Sequence, residues 1–456
     1  MNRDPVEPKV VAARRYHIET WGCQMNVHDS EKLAGSLERE GYVRATGVED
    51  ADVILLNTCA IREKAAEKVF SELGRLRDVK RRRPETVVGV CGCVAQQEAE
   101  RIFERARHVD IVVGPRAAGS LPALIARVMA GDREARHVAD VEYREDSIRF
   151  PFDEIRREGL HTRKAFVTVI EGCNHRCTFC VVPKTRGREV SRSMDDVLAE
   201  VRSLVARGVC EVEFLGQTVN AYRDSAGRTL AELLRAASEV DGVRRIRFTT
   251  SHPAQMTEPL MDAMVAGRPK VCPYLHLPAQ SGSSRVLKDM RRGYDREGYL
   301  RRIDALRSRI PDLSLGTDMI VGFPTETDAD FEDSMTLVER VQFDTLYAFT
   351  YSSRPGTAAA KLDAQVPDAV ARERLQRLLE RQRAIQERRN RAWVGRTVEV
   401  LVEGASRRDA QEWTGRTPED RIVNFRGASG PGKLETLKIA SSSPFSLRGE
   451  PARGFS

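Results

Sequence analysis

The sequence predicts an α/β protein in three parts: an N-terminal open parallel sheet with helices on both faces, a central partial (βα)6 barrel, and a small C-terminal all-β module. Three observations predict it. Short apolar runs alternate with charged, helix-prone stretches through the first 130 residues. The same alternation resumes at 165 and continues to 391. After Trp393 the pattern changes to strand-like runs punctuated by glycine. Alternating strands and helices make a parallel sheet with helices on its faces. A length of 456 residues suits about three domains at roughly 150 residues each.

In the first part, assigned to 14–130, the strands fall at 53–56, 87–90 and 111–113 and the helices at 28–41, 61–82 and 95–107. Residues 131–158 are polar and irregular and read as a linker. The central part, 159–391, has strands at 165–170, 211–215, 244–249, 273–277, 313–320 and 345–350. Its helices fall at 193–207, 229–239, 283–290, 295–308, 326–340 and 367–391. A closed eight-unit barrel takes about 250 residues, so a six-unit barrel fits better. The tail, 394–456, pairs a strand-like 398–402 with Gly404, Gly415, Gly427, Gly430 and Gly432. It is close to the lower size for independent folding.

Hydrophobic residues make up 41% and charged residues 31%, with 32 Gly and 20 Pro, which excludes collagen-like, low-complexity and wholly disordered chains. No apolar run approaches the ~18 residues of a membrane span. Met1-Asn2-Arg3-Asp4-Pro5 lacks the apolar stretch of a secretory signal. The expectation is a cytoplasmic protein without a membrane partner. The net charge of +7 matters less than its distribution. Arg75, Arg77, Lys80, Arg81, Arg82 and Arg83 fall within nine residues, and 371–391 carries eight Arg. Each run reads equally as a solvated helix face or a nucleic-acid-binding one.

Nine cysteines, an odd number, argue against a disulfide framework. Clustered cysteines in a reducing compartment bind metal or do redox chemistry. Cys173, Cys177 and Cys180 form a C-x3-C-x2-C motif. Soft thiolates at this spacing select zinc or iron–sulfur. Structural zinc needs a fourth ligand, and His175 is a candidate, though inside the loop that would wrap the metal. A four-iron cluster on three thiolates keeps one iron open, which favours it over zinc or an unliganded loop. The loop follows a predicted strand, at the carboxyl mouth where barrels carry active sites. Cys23, Cys59 and Cys93 each follow a predicted strand as well, so an open sheet would gather them at one crevice; three unrelated core thiols is the alternative. Cys91, two positions from Cys93 on a strand, would point the same way and could replace it. Cys210 and Cys272 read as buried structural thiols. No phosphate-binding loop or nucleophile elbow is present, so hydrolysis is not the expected chemistry.

The cysteine motif ahead of an αβ-repeat domain resembles the radical S-adenosylmethionine superfamily. The resemblance implies that S-adenosylmethionine chelates the open iron and that Phe179 packs near its adenine. C-Q-M-N at 23–26, N-T-C-x-x-R at 57–62 and G-C-x-A-Q at 92–96, upstream of E-G-C-N-x-x-C-x-F-C at 171–180, resemble the methylthiotransferases from about Tyr16 onward. That resemblance implies a second four-iron cluster on Cys23, Cys59 and Cys93, with S-adenosylmethionine contacts at Gln217, Gln280, Ser281 and Gly322. Residues 394–447 resemble a TRAM domain, an RNA-binding module, and 414–425 look most like the bacterial tRNA branch. Arg416, Arg421 and Phe425 are its candidate RNA contacts, because phosphates give affinity and rings stack on exposed bases. The implied activity is methylthiolation of isopentenylated adenosine 37 in the tRNA anticodon loop, served by an electron donor such as flavodoxin or ferredoxin, with no DNA partner. A methylthiotransferase acting on threonylcarbamoyl-adenosine or on a ribosomal-protein aspartate is the alternative. An iron–sulfur electron carrier or RNA-binding scaffold is the alternative from a different class, and it would have no use for an open iron.

Overall fold

The structure, a computed structural model, describes residues 13–59, 63–144, 163–406 and 409–452. It divides into two compact units, 1–156 and 157–456. In the first, strands β1 (Arg15–Trp21), β2 (Val43–Arg44), β3 (Val53–Thr58), β4 (Val87–Gly92), β5 (Ile111–Val113) and β6 (Val138–Asp140) form one sheet of order β2-β1-β3-β4-β5-β6. Every pair is parallel. β3 and β4 are buried from end to end, as strands covered on both faces must be. Their side chains alternate between two cores. Val53, Leu55 and Val87 meet helices Gln24–Arg39 and Leu121–Met129. Ile54, Leu56, Val88 and Val90 meet helix Glu63–Arg82. The short β6 lies inside the stretch expected to be a linker. It pairs with β5, Val112 opposite Ala139, so the sheet extends past residue 130. Arg62 and residues 145–162 lie outside the described residues, so the rest of that linker is not observed.

The second unit begins with β7 (Lys164–Thr168) and a small antiparallel pair, β8 (Ile170–Glu171) with β9 (Val190–Ser191). Then come β10 (Glu211–Leu215), β11 (Arg245–Phe248), β12 (Tyr274–His276), β13 (Ser314–Val321) and β14 (Thr345–Thr350). They form two parallel ladders, β11-β10-β7 and β12-β13-β14, joined by a parallel bridge from Ile246 to Val271. The six expected strands are all present. Two helices, Val182–Thr185 and Glu258–Ala266, were not foreseen; Thr257 stands at the N-cap of the second and Pro259 in its first turn.

Strand residues alternate faces here too. Ala165, Val212, Phe214, Ile246, Leu275, Leu315 and Met319 lie in the core beneath the helices. The alternate positions of β7, β10 and β11 carry Lys164, Glu211, Glu213, Arg245 and Arg247. These buried charges are paired: Lys164 Nζ lies 2.8 Å from Glu213 and Arg247 Nε 3.0 Å from Glu211. Without partners such charges would be untenable in the interior.

The chain ends in a closed five-stranded barrel: β15 (Thr397–Ala405), β16 (Trp413–Arg416), β17 (Ile422–Phe425), β18 (Leu434–Ser442) and β19 (Leu447–Pro451). Val398, Val400, Val402, Val423, Phe425 and Ile439 fill it. The β16–β17 turn is held against the larger barrel: Arg247 donates to the carbonyls of Thr417 (2.7 Å) and Pro418 (2.9 Å), and Arg245 to that of Arg416 (3.0 Å).

Candidate functional site

The first unit places its three predicted cysteines just past the ends of adjacent strands. The register aligns Trp21, Thr58 and Gly92 across β1, β3 and β4. Cys23, Cys59 and Cys93 therefore follow the carboxyl ends of three adjacent strands. The strand order reverses between β1 and β3, and the helices after them enter different cores. Such a switch point is where open α/β sheets bind ligands. Two glycines make room for the approach. A Cβ on Gly22 would lie 2.6 Å from Cys59 Cβ, and one on Gly92 2.3 Å from Asn57 Oδ1; both glycines have positive φ. Cys23 caps helix Gln24–Arg39, its Sγ 3.4 Å from Asn26 Oδ1, where the helix dipole favours a thiolate. Asn26 Nδ2, Asn57 Oδ1 and Thr58 Oγ1 are buried beside these cysteines with no hydrogen-bond partner. Three soft donors among unsatisfied polar atoms fit a bound iron–sulfur group. Cys91 does not join them. It belongs to β4 and its core, where burial pushes its thiol up to about 12, whereas Cys93 begins the next helix. The alternation expected of two strand residues stops at Gly92, so Cys91 is no substitute ligand.

In the second unit Cys173, Cys177 and Cys180 share a cavity of about 500 Å³ with Lys184, Arg188 and Thr357. The β8–β9 pair closes the base of this loop. Gly172, at φ +81°, passes so close to Arg188 that a Cβ would lie 2.1 Å from its carbonyl oxygen. Gln217 accepts from Gly172 N at 2.5 Å, and Thr178 donates from N and Oγ1 to the carbonyls of Met290 and Asp289. Each sulfur has a polar neighbour: Thr218 Oγ1 at 3.4 Å from Cys173, Arg292 Nη1 at 3.2 Å from Cys177, and Val182 N at 3.4 Å from Cys180. Burial pushes the Cys180 thiol up to about 12 and raises that of Cys173. Three sulfurs, each met by a polar neighbour, suit a metal-bound thiolate set. Among the described residues no three His, Cys, Asp or Glu side chains close on one ion-sized point. His175 stacks on His252 with centroids 3.9 Å apart. Burial, then the charge of Arg292, pushes the His252 pKa down to about 2. Ala254 N donates to His252 Nδ1, which places the ring proton on Nε2, buried and without a partner.

Comparison with known proteins follows this division. Residues 15–114 match the uncharacterized protein family UPF0004, 167–338 the radical SAM superfamily and 391–452 the TRAM domain. The chain is 48% identical over 442 residues to the tRNA-2-methylthio-N(6)-dimethylallyladenosine synthase of Alkalilimnicola ehrlichii, covering 96% of this chain and 97% of that protein. The Methylococcus capsulatus protein of the same name is 47% identical, with 96% and 95% covered. The chain belongs to the tRNA-2-methylthio-N(6)-dimethylallyladenosine synthase family. Among solved structures, the radical S-adenosylmethionine methyltransferase TsrM from Kitasatospora setae shares the fold, with TM-score 0.58, 14% identity and 76% of this chain and 75% of that one covered.

Not every residue proposed from the family pattern reaches a ligand-facing position. Phe179 packs against the cluster of Val286, Met290, Phe323 and Ala359, and Gln217 braces the cysteine loop. Gln280, at φ +67°, bonds through its backbone to Asp318 and Ile320 of β13. Ser281 is 1% exposed and accepts from Ser283 N, so its hydroxyl belongs to the core. Gly322 donates its N–H to Glu326, and a Cβ there would lie 2.6 Å from Ala371; it admits helix Asp368–Arg391 rather than a ligand. Two of the RNA candidates, Phe425 and Arg421, are corrected likewise. Phe425 is 2% exposed inside the small barrel and presents no ring for stacking. Arg421 is buried and pairs with Asp344 and Asn390. Arg416 is held by Glu403 and Asp420, each at 3.0 Å. The basic runs are largely paired too: Lys80 with Asp110, Arg82 with Glu49 and Arg83 with Asp52 in the first, and Arg374 with Glu326 and Arg389 with Asp344 in the second. Among the described residues no helix is long and apolar enough to cross a membrane. Arg292, Thr218 and His252 were not singled out from the sequence; nearness to strand ends could have flagged Thr218 and His252, but Arg292 lies between two helices and carries no local signal.

Proposed function

We propose that this protein transfers a methylthio group to C2 of N6-isopentenyladenosine at position 37 of tRNA. The observation that carries this reading is the near-full-length likeness to synthases of that name, joined to one set of three cysteines at parallel-strand ends and another in the loop after β8. Cys173, Cys177 and Cys180 would hold one four-iron cluster and Cys23, Cys59 and Cys93 a second. With an iron left open, such a cluster supplies one electron for reductive cleavage of S-adenosylmethionine.

The chain's own residues prepare that chemistry. Arg292, buried beside Cys177, donates to its sulfur and offsets thiolate charge, which favours the reduced state. Thr218 and the Val182 amide do the same at the other two sulfurs. Neutral His252 presents Nε2–H without adding a charge. Gln217 and the Thr178 contacts fix the loop, so the thiolates need no reorganisation. Bound S-adenosylmethionine would supply the radical that removes the C2 hydrogen and the second cluster the methylthio sulfur, while the residues above hold the thiolates that carry both clusters. Flavodoxin or ferredoxin in the cytoplasm would supply the electron.

The test is anaerobic reconstitution with iron and sulfide, reduction, and mass analysis of nucleosides from isopentenylated tRNA. A 2-methylthio product on the isopentenylated nucleoside supports the reading. Product on a threonylcarbamoyl substrate and none on the isopentenylated one would overturn the substrate.

A further inference from the structure

The inner face of β12–β14 carries groups that neither cysteine site uses. Register places His276 beside Gly316, Asp318 beside Tyr347 and Ile320 beside Phe349, all on the face opposite the helix-covered core. Tyr347 is 50% and Phe349 41% exposed, although both are large aromatics on barrel strands. Two positions along a strand separate them by about 6.6 Å. One planar ring in van der Waals contact on both sides, at about 3.5 Å each, needs about 7 Å.

The row below is polar. His276 Nε2 lies 3.2 Å from Asp318 Oδ1, and its ring meets Tyr347 edge-on at 6.4 Å. His276 is 9% exposed, and its Nδ1 is buried without a partner. Gly316 makes room for it: a Cβ there would lie 2.6 Å from Tyr274 Oη and 3.2 Å from His276 Cδ2. The row above is apolar, since Ile320 packs against the buried cluster of Val286, Met290, Phe323 and Ala359.

We propose that this face is the seat of an N6-prenylated adenine, with Tyr347 and Phe349 taking the base between them, His276 and Asp318 reading its polar edge, and Ile320 with Phe349 covering the prenyl group. This rests on the tRNA reading above and names the residues that would set its substrate choice. An adenine ring reaches this barrel from two sources, the tRNA nucleotide and S-adenosylmethionine. The apolar row favours the tRNA nucleotide, because only that adenine carries a prenyl group. Asp318 sets the face against a carboxylate-bearing N6 substituent such as threonylcarbamoyl, since like charges repel at short range.

The experiment measures equilibrium binding of two anticodon stem-loops to the full reconstituted chain, one isopentenylated and one with plain adenosine. Tyr347→Ala and Phe349→Ala are compared with the unsubstituted chain, and Phe349→Leu guards against a folding artefact. The unsubstituted chain prefers the isopentenylated loop, and each alanine variant lowers that preference roughly tenfold, the scale of one to two methylenes in an apolar pocket. Phe349→Leu gives an intermediate loss. An intact preference in both alanine variants overturns the seat and leaves the tRNA reading standing. Loss of S-adenosylmethionine binding with the preference intact assigns the rings to the cofactor's adenine and also overturns the proposal. No preference and no methylthio product from the unsubstituted chain overturns both.

Discussion

Replacing Arg421 with Ala separates the two roles open to this arginine. In the structure it is 8% exposed. Its guanidinium bonds Asp344 and Asn390 and lies 4.8 Å from the Trp393 ring centroid. Removing one member of a buried ion pair costs about 3–5 kcal/mol because the partner stays buried and uncompensated. Asp344 keeps Arg389 at 2.6 Å and the Leu315 amide at 2.9 Å, which puts the cost near the lower end. Loss of the cation–π contact adds about 0.5–1 kcal/mol. The total of about 3–4 kcal/mol is a large share of the ~5–15 kcal/mol that holds a domain folded. At about 2.1 cal/mol/K per residue over the unit 157–456, each kcal/mol is worth about 1.6 °C, so melting should fall by roughly 5–6 °C. A phosphate contact would behave differently, lowering the slope of log affinity against log salt by about 0.7–0.9 with little effect on melting. Thermal melting and salt-dependent tRNA binding on the same variant decide between them. A reduced salt slope with unchanged melting would refute the structural role.

Further outcomes follow from the geometry. Gly22→Ala puts a Cβ within 2.6 Å of Cys59 Cβ, so iron content should fall from about eight toward four per chain, at four irons per cluster; full loading would contradict the three-cysteine site. Arg292→Leu removes the 3.2 Å contact to Cys177 and should lower the reduction potential of the barrel cluster in an EPR-monitored titration; an unchanged potential would count against the contact. Burial raises the Glu211 carboxyl, but Arg247, Lys164 and Arg245 more than reverse this and depress it from 4.5 to about 2. Its stabilisation is therefore present above pH 4.5 and lost as pH falls through about 2. The acid limb of melting temperature should be steeper in the native chain than in Glu211→Gln, and parallel limbs would show that Glu211 does not carry it.

Local signals carried the fold a long way. Runs such as 53–56 and 87–90 are apolar because both sheet faces are covered, and that signal needs no tertiary information. The cysteines at 173, 177 and 180 were legible from their spacing, and Cys23, Cys59 and Cys93 from their motifs and from the strand ends they follow. What failed depended on distant partners. Arg421 and Phe425 look like RNA contacts in a polar hairpin, but one pairs with Asp344, 77 residues away, and the other fills a closed barrel. The Arg-rich run of helix Asp368–Arg391 faces carboxylates of the preceding helix, which no local pattern reveals. Arg292 meets Cys177 across 115 residues of sequence.

The most direct test of the central claim is anaerobic reconstitution followed by iron and sulfide analysis and an assay on isopentenylated tRNA. The account predicts about eight iron per chain, at four per cluster, together with 2-methylthio-N6-isopentenyladenosine. About four iron, with deoxyadenosine formed but no methylthiolated nucleoside, would leave only the barrel cluster and contradict the role given to Cys23, Cys59 and Cys93.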